Sequence, residues 1–289
     1  KSTVRKGSEQ MEALLSADTP LETERVWLGM LRALPPARRV AMAWDWTGSV
    51  INAGRLTVLT QHPEIDAQEA ALRYAPRYGT AIVRLAEERR RRLSEAEANR
   101  FPSLQEVLWP LLSALEALQI TAVPLSLAIP FYGVPRFVGE ISLAVERLPE
   151  RQALQQRLPE RFWLDETAEA GPGLRLVELQ SLLPVWLWPS DSGDNAALLQ
   201  RLLDSRRVAP LLEEAPPIPV PSPEALFLYL LAWQGEQRTT SDERWYDFLG
   251  ILKMQQPSGL NLELLRTLAR DLQCLPQLEE ALARTGLEF

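Results

Sequence analysis

The chain has 289 residues and a net charge of −7, with 46% hydrophobic and 24% charged residues. This composition is typical of a globular protein, and the length suffices for one large or two ordinary domains. No apolar run reaches the roughly 18 residues that a membrane helix needs, and the N-terminus lacks the apolar core of a signal peptide. The sequence therefore predicts a cytoplasmic protein that does not enter a membrane.

The chain begins with two segments that differ in character. Residues 1–12 are interpreted as disordered, and residues 13–100 as a helical module. In the first helix Thr19 is placed to cap, Pro20 suits the first helical position, and Glu22 completes a capping box. The helices of this module are predicted up to Leu34, over 36–60 and over about 66–93.

From residue 101 the pattern changes to short apolar segments that alternate with helices. Strands are predicted over 120–129, 140–148, 174–180 and 183–188, with another short strand inside the proline-rich connector 216–223. Helices are predicted over 104–118, 149–158, 223–235, 241–256 and 261–284, and in part of "DNAALLQRLLDSR". Strands followed by helices predict a domain of the α+β class over residues 101–289.

The charge is unevenly distributed along the chain. Residues 1–100 contain 16 Lys and Arg against 13 Asp and Glu, whereas residues 101–289 contain 15 against 25. Four consecutive arginines end a predicted helix: Arg89, Arg90, Arg91 and Arg92. They could contact a phosphate backbone, but cations in this position are more typical of a solvated helix end. The acidic larger part makes nucleic acid an unfavoured partner.

The chain has one histidine, His62, and one cysteine, Cys274. A single cysteine cannot form an internal disulfide, and one of each residue cannot build a typical zinc site. Both are interpreted as structural, with His62 at a helix end and Cys274 in an amphipathic helix.

Three segments of the larger part occur in a recognisable order. They are Tyr132-Gly133-Val134-Pro135-Arg136, Ser222-Pro223-Glu224, and "RWYDFLGILKMQ" followed by "LNLELLRTLA". Together they resemble the minimal nucleotidyltransferase-like proteins of the DNA polymerase β superfamily, in particular an uncharacterised bacterial branch. The resemblance covers about residues 104–284. It implies a small mixed sheet with flanking and C-terminal helices, preceded here by the N-terminal all-α module.

The resemblance also implies what an active site would need. Nucleotidyl transfer uses two metal ions, and magnesium binds carboxylate oxygens. The family places two of these carboxylates on one face of a strand, as Asp-x-Asp, and a third on a neighbouring strand. A Gly-Gly-Ser turn lets the backbone approach the phosphates closely.

The sequence departs from this pattern at each matching position. Ser126 keeps the serine of the turn, but both glycines before it are replaced. Glu140 stands at the first Asp, Ser142 at the second and Trp186 at the third. One carboxylate cannot assemble a two-metal centre, and an indole would occupy the space of the metals and phosphates.

The first hypothesis is therefore a non-catalytic interaction or scaffold protein that binds another protein or its own copy, with no metal or cofactor. The chain has nine tryptophans, and interfaces are enriched in this residue, as are cores.

The alternative is an active, atypical nucleotidyltransferase that modifies a protein or small molecule with magnesium. Glu140 would then be the main metal ligand, and Ser126 and Arg136 would contact phosphate. A rebuilt metal site would regroup five carboxylates: Glu140, Glu146, Glu178, Asp191 and Asp194. Nucleic-acid binding through the four arginines is the third and least favoured hypothesis.

Overall fold

The computed structural model describes residues 19–65, 70, 73, 80–94, 97, 100–165, 172–237, 242–255 and 259–285. The helices are α1 (Leu21–Ala33), α2 (Pro36–Gln61), α3 (Thr80–Arg90), α4 (Leu104–Ala117), α5 (Ala128–Tyr132), α6 (Arg151–Gln155), α7 (Ala196–Asp204), α8 (Pro223–Gln237), α9 (Asp242–Gln255), α10 (Leu262–Asp271) and α11 (Leu275–Arg284). The strands are β1 (Ala122–Pro124), β2 (Ile141–Val145), β3 (Phe162–Leu164), β4 (Leu174–Glu178), β5 (Leu183–Pro189), β6 (Arg207–Ala209) and β7 (Ile218–Val220). The α+β prediction is confirmed. Segment 1–12 and most of 66–79 lie outside the described residues.

Five strands form one mixed sheet in the order β1-β2-β5-β4-β3. β2 and β5 are parallel, and the other neighbours are antiparallel. This register sets Ser142 of β2 directly beside Trp186 of β5. Every residue of β2 is buried, which explains why all of them except Ser142 are apolar. β6 and β7 form a separate antiparallel pair.

Helix α2 shares the hydrophobic core of the sheet. Trp44 and Ile51 are buried in this core. The indole N–H of Trp44 donates to the carbonyl oxygen of Pro102 at 2.8 Å, and the backbone N–H of Val138 donates to Thr47 Oγ1 at 2.8 Å. Buried polar groups are thus paired across the contact, which fixes α2 against the sheet. The division of the chain into domains at residue 100 remains a prediction.

A buried arginine also fastens α2 to the rest of the protein. The Arg39 guanidinium donates to the carbonyl oxygens of Leu34, at 3.0 Å, and of Phe131, at 2.5 Å. Burial lowers the pKa of Arg39 from its ordinary value. The carbonyls lie at the end of α1 and within α5, so one side chain links three helices.

Two predicted elements differ from the observed ones. The strand prediction over 120–129 is wrong beyond Pro124, because the chain turns at Leu125 and continues into the buried helix α5. A short buried helix and a buried strand give the same apolar run in the sequence. The single helix predicted over 261–284 is two helices, since Gln273 between them has a left-handed φ of 56°.

Smaller differences concern helix ends and short strands. Helix α1 has Pro20 rather than Thr19 at its N-cap, and no side chain makes a capping bond there. The strands β3 and β6 have three residues each, too few for a period of two to be visible in the sequence. None of the described helices combines the length and the apolar character that crossing a membrane requires.

Candidate functional site

A cavity of about 300 Å³ opens at the sheet between β2, β5 and the helices α8 and α9. Five residues that the resemblance singled out line this one cavity: Ser126, Arg136, Glu140, Ser142 and Trp186. They come from the turn after β1, the segment before β2, β2 itself and β5. The register of β2 and β5 brings Ser142 and Trp186 together, because parallel neighbours lie about 4.8 Å apart.

Ser126 and Ser142 are bonded to each other. The backbone N–H of Ser142 donates to Ser126 Oγ at 3.0 Å, and the backbone N–H of Leu125 donates to the carbonyl oxygen of Ser142 at 2.8 Å. Both serine residues are buried. Ser126 therefore closes the end of β2, and its oxygen already accepts a bond within the protein.

Trp186 is held by residues on both sides of it. Its ring stacks on Trp188, with centroids 5.1 Å apart and planes inclined by 14°. The Arg175 guanidinium, on the neighbouring strand β4, lies 5.5 Å from the Trp186 ring centroid. Arg175 in turn forms an ion pair with the buried Asp165. A cation over an indole face is attracted to it, so the paired arginine fixes the ring in place.

Arg136 pairs with Asp247 of α9. The Asp247 side chain is only 4% exposed and that of Arg136 is 36% exposed. Arg136 Nη1 also donates to the carbonyl oxygen of Phe137 at 2.9 Å. A buried carboxylate needs a partner, so the Arg136 guanidinium that lines the cavity is already bound to the protein itself.

Glu140 lies at the mouth of the cavity, immediately before β2, and is exposed. The lining contains one other carboxylate, that of Asp247, and Arg136 neutralises it. Within the described residues, no group of three or more His, Cys, Asp or Glu side chains is arranged to hold a metal ion. The donor set present does not fit a two-metal centre, since hard cations need several carboxylate oxygens.

The carboxylates considered for a rebuilt site have other surroundings. Glu146 follows the opposite end of β2 from Glu140 and accepts a bond from the Thr121 backbone N–H at 3.2 Å. Glu178 is fully buried, and Arg161 Nη2 donates to it at 3.0 Å. The remaining two are exposed on the turn after β5: Asp191 and Asp194.

The four arginines end α3 and continue into a turn. Arg89 and Arg90 are half-buried, whereas Arg91 and Arg92 are exposed. Arg92 lies 4.0 Å from Glu160, an exposed pair. Two of the four arginines are therefore exposed, and nucleic-acid binding there stays a prediction.

His62 and Cys274 are interpreted from the sequence as structural residues, and their surroundings fit that interpretation. His62 Nδ1 lies 3.3 Å from Glu64 Oε1 on the surface. Cys274 is buried at the start of α11, and burial raises the pKa of its thiol.

Three aromatic or charged residues of the cavity lining were not singled out from the sequence: Trp188, Tyr229 and Asp247. Asp247 had a usable signal, because it is an acidic residue inside the apolar run "WYDFLGI" and therefore required a cation nearby. Trp188 follows Trp186 by two residues, which places both on one face of a strand. Tyr229 lies in a helix that is apolar on every side and had no such signal.

Comparison with solved structures finds chains that are similar to this one. The chain is similar to the crystal structure of an antigenic nucleotidyltransferase-like protein from Paracoccidioides brasiliensis. The sequence identity is 18%, the alignment covers 66% of this chain and 94% of that chain, and the TM-score is 0.40. No protein-family model and no curated protein sequence matches the chain.

Proposed function

We propose that the chain is a non-catalytic interaction or scaffold protein on a nucleotidyltransferase-like fold. The observation that carries the proposal is the place of Trp186. It stands beside Ser142 on the adjacent parallel strand, where the resemblance requires two carboxylates. The Trp188 ring and the Arg175 guanidinium hold the indole there.

The chemistry of nucleotidyl transfer is poorly supported by such a cleft. Two divalent cations would have to share Glu140, since Asp247 is committed to Arg136. The Ser142 hydroxyl is neutral and does not offset the charge of a magnesium ion. The indole also occupies volume on the same face of the sheet as Ser142.

One observation favours the alternative, an atypical nucleotidyltransferase that modifies a protein or small molecule. Ser126, Arg136 and Glu140 line the same cavity, so a carboxylate, a hydroxyl and a cation are close together. If magnesium and a nucleotide entered, Glu140 would be the metal ligand and Arg136 would face the phosphates. This candidate predicts incorporation of labelled nucleotide that Glu140→Ala abolishes.

Calorimetric titration of ATP, with magnesium and then manganese, separates the two candidates. We expect no heat of binding for the wild type or for Glu140→Ala. Micromolar binding that Glu140→Ala abolishes would overturn the non-catalytic proposal. The same runs with the other three nucleoside triphosphates extend the result. The fluorescence of Trp186 and Trp188, which line the cavity, gives a second readout.

A gain-of-site variant tests whether the cleft corresponds to a lost metal centre. Ser142→Asp combined with Trp186→Asp places two carboxylates on adjacent strands beside Glu140. We expect the double variant to bind manganese and the wild type not to bind it. A folded double variant with no manganese affinity would show that these positions are not equivalent to the family's aspartates.

The interaction part of the proposal has its own test. A protein that remains a monomer and captures no partner from a lysate of its host would contradict it.

A further inference from the structure

Helix α2 exposes a regular row of residues along the side that faces away from the core. The row advances by alternating steps of four and three residues, which is the spacing of the a and d positions of a coiled coil. We call it the seam. Its six residues are Met42, Trp46, Ser49, Ala53, Leu56 and Thr60, and all are exposed.

The seam carries large apolar side chains that solvent reaches. Trp46 is 53% exposed, Leu56 is 63% exposed and Met42 is 36% exposed. Val50, beside the seam, is 40% exposed. At 1.5 Å per residue, the row from position 42 to position 60 is about 27 Å long. Large apolar side chains spread over this length on one side of a helix are typical of an interaction surface rather than of scattered exposure.

The hydroxyl groups in and beside the seam already donate to carbonyl oxygens of the helix itself. The hydroxyl of Ser49 donates to the Asp45 carbonyl oxygen at 2.9 Å, and that of Thr60 to the Leu56 carbonyl oxygen at 2.8 Å. The Thr57 hydroxyl bonds in the same way. These donors can therefore enter an interface without losing a bond to water, which is otherwise the main cost of burying a hydroxyl.

Charge is nearly absent from this side of the helix. In α2, all of whose residues are described, Asp45 is the one charged residue that is exposed between positions 42 and 60. A partner surface with charges would bury them without counter-charges, so the seam favours a partner that is equally uncharged. A second copy of α2 satisfies this condition.

The opposite side of α2 holds the helix rigid. Trp44 and Ile51 are buried in the core, and Thr47 accepts the Val138 backbone N–H. The seam is therefore presented on a fixed helix, so little conformational entropy is lost when a partner binds.

The geometry points to a second copy of this chain, paired with its α2 antiparallel to the first. In antiparallel coiled coils each a position packs against a d position of the partner helix. With the two-fold axis at position 51, Trp46 meets Leu56 of the other copy and Ser49 meets Ala53. The small residues at the centre let the helices approach closely, and the bulky pairs close the interface on both sides of it.

The antiparallel arrangement is also favoured over a parallel one. A parallel pair would set Trp46 against Trp46 in one narrow layer and Met42 against Met42 in the next. It would also align the two helix dipoles, whereas antiparallel helices oppose them. Asp45 of one copy would face Leu59 of the other in the antiparallel pair, so no like charges meet across it.

This inference rests on the proposed function, because it names the partner of an interaction protein. A single helix pair lies at the low end of interface sizes, so a dimer in the micromolar range is expected. Sedimentation equilibrium of the full chain between about 1 and 100 micromolar measures it. We expect the average mass to rise with concentration to twice that of one chain. Moderate salt should favour the dimer, because each copy has a net charge of −7 and salt screens the repulsion between them.

Single variants place the contact on the seam. Trp46→Lys and Leu56→Glu should each raise the dissociation constant at least a hundredfold. Met30→Glu is the matched control, because Met30 is an apolar residue of α1 with 67% exposure outside the seam. It should leave the dimer unchanged. All three positions are exposed, so the unfolding midpoint should stay within a few degrees of the wild type and exclude misfolding as the cause.

The double variant Trp46→Lys with Leu56→Glu tests the direction of pairing. In the antiparallel pair each new lysine faces a new glutamate of the other copy, so dimerisation should return at least in part. In a parallel pair like charges would meet at both positions, and the dimer would stay absent.

Three results would overturn the inference: a monomeric wild type at 100 micromolar, a dimer unaffected by both seam variants, or equal loss in the Met30 control. A monomer that also fails to bind nucleotide would remove only the self-pairing and leave the non-catalytic proposal standing. Nucleotide transfer by a dimer that the seam variants disrupt would remove the non-catalytic proposal and leave the self-pairing standing.

Discussion

Replacing Lys253 with methionine is expected to lower the free energy of unfolding by about 3–5 kcal/mol, the usual cost of leaving a buried charge without its partner. Lys253 Nζ lies 2.6 Å from Glu24 Oε1, and the two side chains are only 8% and 4% exposed. Glu24 belongs to α1 and Lys253 to α9, so the pair fastens the first described helix to the C-terminal part. In the variant the Glu24 carboxylate loses its ammonium partner inside the protein.

The matched double variant separates the ion pair from the packing around it. Glu24→Leu combined with Lys253→Met replaces both charges with apolar groups, and such replacements are often neutral or stabilising. We expect the double variant to lie within about 1–2 kcal/mol of the wild type, although each single variant is much less stable. Leu28, Leu31 and Met254 already form an apolar cluster between the same two helices.

Urea unfolding of the four proteins gives the double-mutant cycle. Far-UV circular dichroism follows global unfolding, and the fluorescence of Trp27, which packs on the cluster of α1 and α9, follows separation of α1. If the two probes diverge in the single variants, α1 separates first and limits the measured loss. A loss below 1 kcal/mol in Lys253→Met, with coincident probes, would refute a buried ion pair.

Three further substitutions have defined outcomes. Hydrogen bonds from Arg100 lower the pKa of Glu106 to about 2. The ionised Glu106 therefore contributes fully to the free energy of unfolding above its ordinary pKa, and this contribution is lost as pH falls through about 2. Because the pair is partly exposed, Glu106→Gln should cost only about 1 kcal/mol at pH 7, and acid titrations of stability should show this difference shrinking as pH approaches 2 and vanishing below it. Gly48→Ala would set a Cβ 2.7 Å from the Phe101 ring and 3.1 Å from its Cβ, so overpacking should outweigh the gain in helix propensity by about 1 kcal/mol. In Gly29→Ala the new Cβ meets nothing within 4 Å, so this variant should instead be more stable by about 0.5–1 kcal/mol. Thermal unfolding of both variants and the wild type measures the difference.

The parts of the fold that local chemistry encodes were predictable. Pro36 begins α2 and the turn at His62-Pro63 follows its last residue, so its ends were predicted within one residue. Ser103 and Glu106 form a complete capping box at the start of α4. The parts that failed depend on tertiary contacts. The buried helix α5 is apolar on every side, and Gln273 adopts its left-handed backbone although no glycine marks the break.

The candidate cleft shows the same division. The residues that line it were found through a resemblance of motifs, and the pairing of β2 with β5 brings Ser142 and Trp186 together. Their partners were not predictable, because they come from distant segments. Asp247 reaches Arg136 across 111 positions of the chain, and periodicity within one helix or strand carries no information about such a pair. The exposed seam on α2 was hidden as well, since a helix buried on one side and apolar on the other shows only a weak polar face.

The polar groups of the cleft are bonded mainly to one another. The backbone N–H of Ser142 donates to Ser126 Oγ, and Arg136 forms an ion pair with Asp247. An active site holds groups in readiness for a ligand, often at a cost in stability, because those groups wait for partners that the substrate supplies. Where the protein supplies the partners itself, a ligand must break these bonds before it can form its own. The seam of α2 differs, because its hydroxyl groups are bonded within the helix while its large apolar side chains still face water. On the two proposals made above, we therefore expect binding on the outer side of α2 rather than in the cleft.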